Sequence, residues 1–186
     1  MTIKKFILNP LDRFQYNLVK ENKIPVFVFP LLYGTLVAIS LSLNNYGYSK
    51  IGDLLGHLPL MIITRAVLIL ISCFIYSWIV LLISLLLKGL SNINYTFSLV
   101  SYSLIPLIIG ALIFLILKLI FITANASMYS FKLLYKFIYY FQHVFNLWTI
   151  YLLIIGNAMI NDFSKMKSII ACAGIITIFI ILSVVY

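Results

Sequence analysis

Residues whose types could support catalysis or metal binding are few and scattered in this sequence. Asp53 and His57 are four positions apart in a glycine-containing segment. They supply two ligands at most, and a metal site needs a third. His143 stands apart from them, beside aromatic residues that are typical of a membrane interface. Cys73 and Cys172 lie in separate apolar blocks and predict buried free thiols rather than a disulfide. The sequence contains no nucleophile, zinc-protease or phosphate-loop motif. We therefore predict a protein that is not an enzyme and holds no metal or cofactor.

Polar and small residues inside long apolar segments form a second candidate group. Asn in hydrocarbon needs a hydrogen-bond partner, and Gly lets a neighbouring backbone come close. We expect these residues to pack helices against one another; a polar path for a small solute is the alternative. No Asp, Glu or His lies deep in a predicted span, which argues against a proton relay. The group comprises Ser77, Ser84, Ser101, Pro106, Gly110, Asn146, Gly156, Asn157 and Gly174.

Lys118 is a cation inside the apolar block 97–123. It lies about 12 Å along the helix axis from the middle of that block. From there its side chain can reach the headgroups, so snorkelling is the first prediction. A buried functional cation is the alternative.

The elements that position these residues follow from composition. The chain has 186 residues, of which 64% are hydrophobic and 9% charged. A soluble domain carries about 25% charged residues, and a membrane-spanning helix needs about 20 apolar residues. We therefore predict an all-α membrane bundle, with a loop over 44–59 and a kink at Pro106 or Gly110. Five spans are expected within one domain, 24–186, at about 24–43, 66–87, 97–123, 138–160 and 168–186.

Residues 1–23 are predicted to be a separate cytoplasmic segment with a short amphipathic helix. Asn followed by Pro suits a helix start, and the apolar residues after them recur on one helix face. Such a helix can lie in the headgroup layer and meet anionic lipid; packing against the bundle ends is the alternative. The residues concerned are Asn9, Pro10, Leu11, Arg13, Phe14 and Leu18.

The distribution of cations predicts the orientation. With five spans and a cytoplasmic N-terminus, eight of the 13 Lys and Arg residues lie on the cytoplasmic side, which agrees with the positive-inside rule. We expect a multi-pass protein of the cell membrane with its C-terminus outside. The positive charge predicts contact with the anionic inner leaflet, and no dense basic patch suggests nucleic acid.

The order of these features resembles the Yip family, which is named for proteins that interact with Ypt/Rab GTPases. The resemblance rests on the Asn9-Pro10 helix with Phe14, on FSLVSYSLIP (97–106), on FNLWTIYLLIIGNAM (145–159) and on the connector SKMKS (164–168). It implies a five-span bundle with a cytoplasmic N-terminus and no established catalytic residues. Eukaryotic members act in vesicle traffic, and some bacterial members accompany ABC-type exporters and help resist antimicrobial peptides or toxins.

Three functions follow as hypotheses. The first is an accessory or scaffold subunit that binds another membrane protein, such as an ABC-type exporter. The second is a small-solute transporter or channel, alone or as a homo-oligomer. The third is a trafficking or membrane-shaping factor that acts through the N-terminal helix.

Overall fold

A computed structural model describes residues 23–46, 51–123 and 128–185, and these residues form helices with short connections and no strand. The predicted helix within 1–23 lies outside this part of the chain. In chain order the helices are α1 (Lys23–Tyr46), α2 (Ile51–Leu86), α3 (Ile93–Ser103), α4 (Ile105–Thr123), α5 (Met128–Asn161) and α6 (Lys165–Val185).

Four segments of the described residues are long and apolar enough to cross a membrane. They are Val26–Leu43, His57–Leu86, Ile93–Ile120 and Tyr140–Asn161, and they correspond to the first four predicted spans. The fifth predicted span forms α6, which is not among the four, so the count of five remains a prediction.

The predicted loop over 44–59 is wrong for most of its length. α1 continues to Tyr46 and α2 already begins at Ile51. Gly52, Gly56 and Pro59 suggested a loop, yet all three lie inside α2. Membrane helices tolerate Gly and Pro because neighbouring groups satisfy the freed backbone, so these residues are weak signals of a loop here.

The predicted interruption of the third span is found at Leu104. α3 ends at Ser103 and α4 begins at Ile105, which places Pro106 in the first turn of α4. Pro has no N–H to donate to the carbonyl four positions earlier, and its ring crowds that preceding turn, so the helix is interrupted before it. The helical pattern resumes when the N–H of Ile108 donates to the Leu104 carbonyl at 2.9 Å.

The chain divides into two compact units, and the division passes through the long helices α2 and α5. Among the described residues, unit 1 comprises 23–27, 73–103 and 150–185, and unit 2 comprises 28–46, 51–72, 104–123 and 128–149.

Close backbone contact joins α1 and α2 within unit 2. A Cβ atom added to Gly34 would lie 2.5 Å from the Cα of Ala66 and 2.9 Å from the carbonyl oxygen of Arg65. Gly110 of α4 is similarly close to a side chain of α5, because a Cβ atom added to it would lie 2.7 Å from Cδ2 of Phe145. Small residues allow this approach, which strengthens van der Waals packing between membrane helices.

Gly34→Ala should destabilise the protein because the new methyl group meets backbone atoms that cannot rotate away. We expect a loss of about 1–3 kcal/mol, measured by thermal unfolding in detergent. Gly174→Ala is the matched control, since its Cβ would lie 3.8 Å from Ile79, in ordinary contact. That control should be neutral or slightly stabilising because Ala favours helix. Equal effects of the two substitutions would contradict the close contact.

Candidate functional site

Four polar residues form a buried cluster in unit 1. They are Ser84 near the end of α2, Ser91 in the connection to α3, and Asn157 and Asn161 at the end of α5. Each is less than 8% exposed. Buried polar groups in an apolar surrounding must be hydrogen-bonded or they destabilise the fold, so their partners decide what this cluster does.

Asn161 is the centre of this cluster. Its Oδ1 accepts the backbone N–H of Ser91 at 2.9 Å. Its Nδ2 donates to the backbone carbonyl of Asn157 at 3.1 Å and to Oδ1 of Asn157 at 2.9 Å. The hydroxyl of Ser84 donates to the same Oδ1 at 3.3 Å. One chain of hydrogen bonds therefore connects α2, the α2–α3 connection and α5.

The ends of α2 and α5 have the same backbone geometry. Lys88 (φ 66°) and Asp162 (φ 52°) are both left-handed. The N–H of the next residue then bonds back five positions, from Gly89 to Ser84 at 2.8 Å and from Phe163 to Ala158 at 2.9 Å. This is the Schellman motif, which satisfies carbonyl groups at a helix end. It turns both connections sharply and places Gly89 against Asn161 and Phe163.

Helix α6 is fixed to α5 beside this cluster. The hydroxyl of Ser168 donates to the carbonyl of Ile154, and Sγ of Cys172 lies 3.8 Å from the carbonyl of Leu153. Ser168 and Cys172 are both fully buried. Cys73 and Cys172 are free thiols, as expected from their apolar surroundings.

The candidate polar residues of the sequence are distributed over both units. Ser84 and Asn157, on α2 and α5, are joined by a hydrogen bond. Ser77 donates to the carbonyl of Cys73 in its own helix at 2.6 Å. The buried hydroxyl of Ser101 has no partner among the described atoms. Pro106, Gly110 and Asn146 belong to unit 2, and Gly156 and Gly174 belong to unit 1.

Sequence reasoning missed Asn161 and Ser91. Asn161 follows Asn157 by four positions and therefore shares its helix face, and this spacing was the available signal. The predicted fourth span ends at residue 160, which leaves Asn161 just outside it. Ser91 contributes through its backbone N–H, which no side-chain pattern reveals.

The chemistry available to this cluster is hydrogen bonding between neutral groups. Asn157 Nδ2 and Ser91 Oγ are buried and have no hydrogen-bond partner among the described atoms. In the described part of the chain, no group of three or more His, Cys, Asp or Glu side chains could hold a metal ion. The arrangement joins helices and offers two further polar atoms to a small neutral group such as water.

Lys118 is the buried cation of unit 2. Its side chain is only 5% exposed. The ammonium donates to the carbonyl of Ser40 at 3.1 Å and to the hydroxyl of Ser40 at 2.7 Å. The predicted snorkelling is therefore wrong, because these two oxygens of α1 satisfy the ammonium inside the unit. Both of these acceptors are neutral, and the contact joins α1 to α4.

Comparison with known proteins identifies the family of this chain. The sequence model of the Yip1 domain matches residues 4–186. The chain belongs to the Yip1 family. Its apolar helices agree with a Yip1 membrane protein, and the four residues of the Asn161 cluster lie within the matched range. No curated protein and no solved structure matches the chain.

Asn161→Ala should destabilise this Yip1 domain because it leaves the buried N–H of Ser91 without an acceptor and opens a cavity. We expect a loss of about 2 kcal/mol, or about 4–8 °C in the melting temperature for a chain of this size. Asn94→Ala is the matched control, since Asn94 is exposed and no side-chain hydrogen bond of its own is described. If both variants melt at the same temperature, Asn161 does not hold the cluster together.

Reductive methylation should distinguish a buried Lys118 from a snorkelling one. Lys88, Lys136, Lys165 and Lys167 are exposed and should be modified in the folded protein, whereas Lys118 should react only after unfolding. Peptide mass spectrometry of the purified protein measures each site. Methylation of Lys118 as fast as that of Lys136 would contradict the buried position.

Proposed function

We propose that this Yip1 protein is a non-enzymatic accessory subunit that binds another integral membrane protein. The observation that carries the proposal is the face of α2 in unit 1. Phe74, Trp78, Leu82 and Leu86 recur every four residues and are 43–83% exposed. This spacing places them on one helix stripe, and the stripe suits contact with the apolar surface of a partner helix.

The other side of α2 is buried within unit 1, which leaves the exposed stripe for contact with a partner. Cys73, Ser77, Val80 and Ser84 are at most 3% exposed, so this side of the helix is already occupied within unit 1. Interfaces favour large aromatic and aliphatic anchors, and Phe74 and Trp78 form an edge-to-face pair with ring centroids 6.3 Å apart. A paired aromatic anchor is better ordered for binding than separate side chains, because less rotamer freedom is lost.

We further propose that the protein lies in the cell membrane with five spans and a cytoplasmic N-terminus. The excess of cations on the cytoplasmic side of such a layout supports this orientation. For the partner we propose an ABC-type exporter that removes antimicrobial peptides or toxins, a role that the family resemblance suggested.

A small-solute transporter is the second candidate, and Lys118 favours it. Ionisable residues inside membrane helices are expensive and commonly mark a solute or ion path. Among the described residues, the acceptors of the Lys118 ammonium are the carbonyl and the hydroxyl of Ser40. An anionic solute would supply the negative charge that these neutral oxygens lack.

A photo-crosslinking amino acid at Leu82 should capture an integral membrane protein in native membranes. Ser77, which is fully buried, is the matched control position and should give no such product. We expect one discrete partner, identified by mass spectrometry, and greater sensitivity to cationic peptides when the gene is deleted.

Products that contain only lipid or a second copy of the chain would contradict the accessory role. Solute flux in liposomes that contain this chain alone, and its loss in Lys118→Met, would instead support the transporter.

A further inference from the structure

We propose that the connections after α2 and after α5 together form a binding surface for the headgroups of anionic phospholipids. We call it the connector surface and define it by Leu86, Lys88, Leu90 and residues 162–167. It shares Leu86 with the apolar stripe of α2, but its lysines, which the test below changes, lie outside that stripe, so its test is separate from that of the accessory role.

The two connections are held side by side within unit 1. Asn161 accepts the N–H of Ser91 at 2.9 Å, which joins the end of α5 to the α2–α3 connection. A Cβ atom on Gly89 would lie 2.8 Å from Cζ of Phe163, so the two turns are also in direct contact. Side chains that extend from the two connections therefore share one end of the unit.

The connector surface carries a net positive charge. Lys88, Lys165 and Lys167 are exposed, and Asp162 is the exposed acidic residue among them. Three positive charges and one negative charge give a net charge of +2. The ammonium of Lys167 lies 5.8 Å from the ring centroid of Phe163, a distance at which the ring attracts a cation. Phe163 thus holds one ammonium beside the turn that carries Lys88.

Exposed apolar side chains accompany these cations. Leu86 is 83% exposed, Leu90 is 81% exposed and Met166 is 69% exposed. Leu86 and Leu90 are the two most exposed large hydrophobic residues in the described part of the chain. A water-facing loop gains nothing from such residues, whereas a loop at the membrane interface can bury them beside acyl chains.

The position along the chain places this surface at headgroup level. Candidate spans end at Leu86 and at Asn161, and another begins at Ile93. Cations next to span ends attract anionic lipid through the negative surface potential of the leaflet. Apolar side chains beside cations match the phosphate and the first acyl carbons of one lipid, and a free phosphate would use only the cations. The chemistry therefore points to phospholipid.

The test measures binding of phosphatidylglycerol and phosphatidylcholine to the full-length protein in neutral detergent micelles, where membrane orientation plays no part. Lys88→Gln/Lys167→Gln removes two charges from the connector surface. Arg65→Gln/Lys136→Gln is the matched control, since it removes two exposed charges from unit 2. Native mass spectrometry counts the retained lipids, and titration with labelled lipid gives affinities.

We expect the wild-type protein to prefer phosphatidylglycerol. The first variant should bind it about tenfold more weakly, because each lysine near anionic lipid contributes a several-fold gain. The control should change affinity less than twofold. Lys88→Arg/Lys167→Arg should retain binding, which separates loss of charge from loss of fold.

Three results would overturn the proposal. They are equal affinity for the two lipids, an equal loss in the two double variants, and displacement of the lipid by inorganic phosphate at millimolar concentration. The last would show an anion site without lipid contact.

Discussion

The hydrogen bonding of the Asn161 side chain is the interaction on which unit 1 depends. Its amide oxygen accepts the Ser91 N–H, and its amide nitrogen donates to two oxygens of the buried Asn157. In an apolar surrounding an unpaired amide is costly, so these contacts restrict the relative register of α2 and α5. Three other features lie within about two helical turns of this side chain. They are the left-handed turns at Lys88 and Asp162 and the hydrogen bond from Ser168 to Ile154.

Unit 2 also contains a buried polar side chain that joins two helices, and in this unit the side chain is the ionisable Lys118. Lys118 is buried among apolar residues, and Ser40 provides both a carbonyl and a hydroxyl acceptor. This contact links α1 to α4 through an ionisable group and two neutral oxygens, whereas the Asn161 cluster consists of amides, hydroxyls and backbone groups. Neutral networks suit permanent helix contacts. Ionisable residues inside membrane helices commonly mark a solute path, so Lys118, and not Asn157, favours the transport alternative.

The sequence predicted the class of fold and several of its positions. Long apolar runs located four helices, and Pro106 located the interruption at Leu104, because missing N–H groups and apolar length act locally. The loop over 44–59 was mispredicted because Gly52, Gly56 and Pro59 have different effects in a membrane helix and in water. The position of Lys118 and the role of Asn161 depended on contacts with residues 78 and 70 positions away, and a periodic pattern within one helix contains no information about such distant partners.

Lys88 has a backbone conformation that is unfavourable for a lysine. At φ 66° it occupies a conformation that costs an ordinary side chain about 1–2 kcal/mol and costs glycine almost nothing. Asp162 tolerates the equivalent position better, because a short polar side chain can hydrogen-bond locally. The long side chain of lysine makes no such local hydrogen bond, so nothing offsets the cost of its left-handed conformation. The turn after α2 therefore combines local backbone strain with an exposed cation. In related sequences, glycine at this position would relieve the strain and remove the charge, so the residue found there separates the two requirements.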